Sequence, residues 1–173
     1  MFTNLKQFVP SEVCLKCDGC CRFKEPGSVW RPRVSKDEAQ NTKRPDLLTK
    51  IFTKERVDSK GFLKTTACKG EEHFCCSFFN PKENTCTIYQ HRPFECKLYP
   101  FVMTKKDSRP VLSVHLTCPH IERNRHSPDF EIYTHDLKGF FARADVKNFL
   151  ESNPELFGEY PGYEHELEYL FDI

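Results

Sequence analysis

Hydrophobic residues recur along this chain in short groups rather than long periodic runs, and the elements they predict are correspondingly short. Residues 1–13 form a lead-in with Phe2, Leu5 and Phe8/Val9 at helix-like spacing. Pro26, Gly27 and Pro32 make Arg22 to Val34 an extended stretch. Ser35-Lys36-Asp37-Glu38 reads as a capping box, in which the Ser hydroxyl and the Glu carboxylate each satisfy an orphan amide at a helix start. Pro45-Asp46 opens another helix, with Leu47, Leu48, Ile51 and Phe52 on one face. From Gly61 onward the pieces are strand-like: Phe78-Phe79, a turn over Asn80 to Asn84, then Thr85 to Tyr89. Phe101 to Thr104 and Val111 to Leu116 are predicted as hairpin strands around Lys105 to Pro110. The clearest helix is predicted from Asp136 to Glu151. Its stripe is Leu137, Phe140, Phe141, Ala144, Phe149 and Leu150, and Asn153-Pro154 stops it.

These elements predict an α+β fold: a small, irregular, metal-stabilised domain with short strands, cysteine-rich loops and a C-terminal helix. The expected organisation is a cysteine-cluster metal-binding domain over 1–125. A helical segment over 126–173 is expected to pack on it and to end in an acidic tail. Sixteen Phe, 6 Tyr and 1 Trp in 173 residues are enough to bury a core. The net charge of +1 sets up no strong field, so nucleic-acid binding is not indicated. The acids Glu159, Glu164, Glu166, Glu168 and Asp172, with no Lys or Arg among them, read as a solvated tail, or as a docking face for a protein partner. No apolar run has the length of a signal peptide or a membrane span. The expectation is therefore a cytoplasmic protein that avoids the membrane and keeps its thiols reduced.

Cysteine changes the picture most. Cys14, Cys17, Cys20 and Cys21 fall in one short stretch with Gly19 before the adjacent pair. Two-residue gaps let a turn fold back until sulfurs converge, so this stretch must be loop or tight turn and suits zinc or iron–sulfur ligation. The later cysteines are Cys68, Cys75, Cys76, Cys86, Cys96 and Cys118. Around them run Cys86-Thr87-Ile88-Tyr89, Arg92-Pro93, Cys96 and Tyr99-Pro100.

Taken together, the Cys14–Cys21 quartet and this second half resemble the CxxCxxCC (YkgJ-type) family, described as zinc- or iron-chelating. The resemblance spans roughly residues 11 to 120. The family's cysteine region is in turn similar to part of flagellin lysine-N-methylase. The resemblance implies metal ligation by Cys14, Cys17, Cys20, Cys21, Cys76, Cys86, Cys96 and Cys118. Lys97 stands where the family usually has Arg, and Cys68 and Cys75 are extra thiols. Which of Cys75 and Cys76 ligates stays open, and Cys68→Ser is expected to leave metal and fold unchanged.

Eight thiolates are twice what one Cys₄ site needs, so one composite centre or two nearby centres are both expected readings. Neighbours such as Cys20 and Cys21 tend to point apart, which would send them to different centres. Soft sulfur ligands suit both metals. The three-thiol spacing leans to a cubane 4Fe-4S cluster, with zinc the alternative. Arg22, Arg92 and Lys97 are placed to offset the charge of a thiolate centre and to donate to sulfur. Tyr89 and Tyr99 read as packing around it, and His73, His91 and His120 as minor candidates for polar or ligand work. Neither a GxSxG elbow, a P-loop nor a dinucleotide fingerprint occurs, so catalytic residues are unassigned. Three functions follow: an iron–sulfur protein with a redox, cluster-carrying or cofactor-activating role; a zinc-stabilised interaction module; or an enzyme similar to protein lysine N-methyltransferases.

Overall fold

The computed structural model describes residues 5–17, 19–40, 51–68 and 72–173. The fold is α+β, and its contacts group into two compact units: Ser11–Cys96, and Met1–Pro10 with Lys97–Ile173. Residue 125, the boundary read from the sequence, falls inside the second of these units.

The Ser11–Cys96 unit is made of short pieces. Helix α1 is Ser11–Cys14, a 3₁₀ turn follows at Gly19–Cys21, and strand β1 is Arg22–Phe23. Beyond β1 the backbone to Val34 is mostly bend and turn, not the extended run expected. Helix α2, Lys36–Gln40, starts on the predicted capping box. Glu38 donates its amide to Ser35 Oγ at 3.1 Å, and the Ser35 amide donates to Glu38 Oε2 at 3.0 Å. The helix expected from Pro45-Asp46 falls largely outside the described residues, although Phe52 itself is buried. Strands β2, Thr65–Ala67, and β3, Phe74–Cys76, pair antiparallel, with β1 on the other side of β3. Strands β4, Phe79–Asn80, and β5, Thr85–Cys86, form a ribbon around the predicted turn, where Asn84 takes φ of 53°. A 3₁₀ turn at Tyr89–His91 leads to helix α3, Phe94–Leu98, within which the unit ends. Phe23, Val34, Leu63, Phe78 and Phe79 share this unit's core with Cys68, Cys75 and Cys76.

The second unit has longer elements and an apolar core. Strands β6, Phe101–Lys106, and β7, Arg109–His115, are joined at Asp107 and Ser108, both at positive φ, as a two-residue hairpin turn requires. Strand β8, Leu167–Asp172, pairs with β7, which is central and buried from Val111 to His115. Helix α4 is Pro119–Asn124. The single helix expected from Asp136 to Glu151 is instead two, α5 Pro128–Phe141 and α6 Ala144–Ser152. The chain turns out at Arg143, which is extended and ties its guanidinium to Asp145 at 2.6 Å. As a result Ala144 is exposed, and Val146 takes the inward place on α6. Helix α5 begins on Ser127, whose hydroxyl accepts from the Phe130 amide at 3.2 Å, with Pro128 in the first turn. Phe8, outside any helix, sets its ring edge-on to Phe101 and Phe130. The acidic end is not a free tail: it supplies β8, with Phe171 buried.

Candidate metal centre

The Ser11–Cys96 unit draws its free thiols from every kind of element it has. Cys14 closes α1, Cys17 follows in a turn whose amide donates to Val13 O at 3.1 Å, and Cys20 and Cys21 lie in the 3₁₀ turn. Cys76 ends β3, Cys86 ends β5 and Cys96 sits in α3. Cys118 belongs to the other unit, where it is buried and caps the start of α4.

Cys20 and Cys21 do not point apart. The tight turn brings their thiols close enough for each to shift the other's ionisation, with the proton kept on Cys21. The neighbouring Cys21 thiol holds Cys20 below the ordinary thiol range against its burial, helped by the positive field of Arg92. The same pairing pushes Cys21 up, and burial and the charges of Cys20, Cys76 and Cys96 push it further. Burial pushes Cys76 up to about 11 and raises Cys86 and Cys96 as well. Cys14, Cys20, Cys21, Cys76, Cys86 and Cys96 therefore feel one another's charge and form a single electrostatic neighbourhood.

Arg92 serves this neighbourhood. Its Nε donates to Tyr89 O at 2.8 Å, its guanidinium lies 3.7 Å above the Tyr89 ring, and Nη1 reaches Cys14 Sγ at 3.6 Å. Arg22 donates to Asn84 Oδ1 at 3.3 Å and lies over the Phe79 ring. Lys97 is in the last turn of α3, where an ammonium suits the carbonyl end. Among the histidines, His73 is exposed and its carbonyl accepts from the Cys68 amide. His91 is exposed at the end of its 3₁₀ turn, and His120 packs edge-on to Phe8 in the other unit. Tyr99, also in that unit, shares a hydrogen bond with His115 Nδ1 at 3.0 Å.

Two positioning devices were not legible in the motif. Cys96 is held by a buried polar frame: Arg33 donates to Glu95 through its amide at 2.5 Å and its guanidinium at 3.1 Å, and Glu38 Oε1 accepts from the Phe94 amide at 2.7 Å. The second is Asn84, whose side chain donates to Lys16 O at 3.2 Å while accepting from Arg22, so it clasps both ends of the Cys17–Cys21 segment. A left-handed Asn between two strands was the available signal for the turn, but not for its reach.

Cys68 and Cys75 are not spare thiols. They are joined as a disulfide, which corrects the expectation of a wholly reduced set and removes Cys75 from the choice between it and Cys76.

Among the described residues no group of three or more His, Cys, Asp or Glu side chains is already drawn in around one point. The chemistry nonetheless suits a thiolate-bound cation. The gathered donors are all sulfur, and the buried hydroxyls of Ser77, next to Cys76, and Tyr89, under Arg92, have no hydrogen-bond partner. A thiolate centre is rich in acceptors for such donors.

Free thiols in one electrostatic neighbourhood, with a guanidinium beside Cys14, are the make-up of a cysteine-rich chelating domain. Residues 13–125 match the CxxCxxCC family model, described as "Putative zinc- or iron-chelating domain", and the chain belongs to that family. No curated protein and no solved structure matches it. Among the described residues no helix is long and apolar enough to cross a membrane.

Proposed function

We propose that the Ser11–Cys96 unit holds an all-cysteine iron–sulfur centre through thiols drawn from Cys14, Cys17, Cys20, Cys21, Cys76, Cys86 and Cys96, in a redox, cluster-carrying or cofactor-activating role. The observation that carries this is the shared neighbourhood of thiols from sequence-distant segments with Arg92 Nη1 3.6 Å from Cys14 Sγ. Such an arrangement concentrates negative charge once the thiols ionise, and a bound cation with a nearby guanidinium offsets it. A carrier or redox role also calls for a protein partner that delivers or accepts.

Anaerobic purification followed by iron, zinc and acid-labile sulfide analysis tests the proposal. Iron and sulfide near parity, lost on Cys96→Ser, is the expected result. Full metal retention in Cys96→Ser overturns the composite site. Stoichiometric zinc without sulfide, even after iron-supplemented expression, moves the reading to a zinc-stabilised interaction module, for which the shortness of every element in this unit is the supporting observation.

A further inference from the structure

Strand β3 carries two adjacent cysteines with different fates, and its register decides which is which. Cys75 pairs with Arg22 on β1 and with Thr66 on β2, and Cys76 pairs with Thr65. Successive side chains on a strand face opposite ways, so Cys75 and Cys76 serve opposite faces. Cys75 is bonded to Cys68, diagonally across the ladder on its own face, so Cys76 points to the face opposite that bond.

A one-residue slip of a strand exchanges its faces, and short strands specify register weakly. Here β1 is two residues long and β2 and β3 three each. For most sequences a slip would remove the ligand. In Phe74-Cys75-Cys76 it would present Cys75 in place of Cys76, so the slipped state keeps a thiol at the metal and is not rejected by ligand chemistry. Something else must reject it. The Cys68–Cys75 bond does so, because Cα atoms 5.5 Å apart meet disulfide geometry in this register, whereas a slipped Cys75 would face away from Cys68. Both residues are buried, Cys68 5% and Cys75 2% exposed, which shields the bond from thiols in solution.

We propose that the Cys68–Cys75 disulfide is a ligand-sorting bond, which pins the register of β3 so that Cys76 alone of the pair faces the metal site. This rests on the metal reading above. The bond forms by exchange with a low-molecular-weight disulfide: the two cysteine thiols are oxidised, the new S–S bond closes, and the reagent leaves as two thiols carrying both protons.

The test begins with mass mapping of wild-type protein, alkylated after denaturation and metal removal without reductant. Eight of the ten cysteines should be labelled, with Cys68 and Cys75 linked. Labelling of all ten overturns the proposal. Cobalt(II) titrations, without added thiols, then compare wild type, Cys68→Ala and Cys68→Ala/Cys75→Ala. The single variant frees a competing thiol and should bind about tenfold more weakly, with a second thiolate-to-cobalt charge-transfer species. The double variant has no competitor and should return to the wild-type spectrum within a few-fold of its affinity. Equal weakening in both variants reduces the bond to a plain staple and overturns sorting. Loss of charge-transfer intensity in both makes Cys68 and Cys75 ligands themselves and also overturns it. A wild-type protein that shows the bond but binds no cobalt sinks the metal reading, and the sorting role with it.

Discussion

The two units of this chain solve the problem of stability differently. Around β7 the second unit buries Phe101, Met103, Leu112, Val114 and Ile121 completely, and its longest helix has fourteen residues. The Ser11–Cys96 unit has no described helix longer than five residues and seats cysteines among its core aromatics. What apolar area does in one, covalent and polar ties do in the other: a disulfide, the Arg33–Glu95 pair and the Asn84 clasp. A fold assembled this way gains its last rigidity from whatever its thiols bind.

The largest effects are expected from removing one tie in each unit. Arg33→Ala strands the buried Glu95 carboxylate and should cost about 3–5 kcal/mol. Hydrogen exchange should place that loss within Ser11–Cys96, together with lower metal content. Phe141→Ala, at a position 2% exposed, should cost about as much, roughly 3–5 kcal/mol, by leaving a cavity. That loss should fall in the second unit and spare metal affinity in the molecules that remain folded. If either variant loosens both units equally, the distinction fails.

Two further changes should have smaller effects. Asn84→Gly keeps a left-handed backbone within reach and deletes only the clasp, so a metal-free stability loss of about 1 kcal/mol is expected. Its clearer sign should be faster metal release in a chelator competition. The smallest effect should be the pH response of His115 in the second unit. Burial holds this imidazole below its ordinary value, with Glu166 pulling the other way. The native state therefore prefers it neutral. Its contribution is present above the unfolded value of about 6.5 and fades as pH falls towards the lower folded value. Thermal melts of the protein across that interval, compared with His115→Gln, check the sign.

How much of this was legible depended on whether the cause was local. The Ser35–Glu38 box, the Asn80–Asn84 turn and the hairpin at Asp107-Ser108 are decided by neighbours in sequence, and each could be read there. The interruption at Arg143 was missed because hydrophobic spacing carries across it from Phe141 to Val146. The acidic end differs from a solvated tail because charge alone does not reveal that Leu167–Asp172 pairs with β7 and buries Phe171. The thiols announced a chelating site, but their partition did not follow from spacing. Cys68 and Cys75 look like Cys76 until strand register assigns them, and Glu38 serves both its own helix and the amide of Phe94, far along the chain.

Strand β8 closes its sheet only by pairing Leu167–Asp172 with β7, and residues near the start of the chain, such as Phe8 and Lys6, settle on aromatic side chains as late as Tyr133. On a ribosome adding about 5–20 residues each second, the Ser11–Cys96 segment is therefore out of the exit tunnel seconds before the second unit has all its parts. Vectorial synthesis thus gives the cysteine-rich segment a head start. Its thiols can be sorted and loaded while the nascent chain is still tethered and the Phe8 ring still waits for its neighbours.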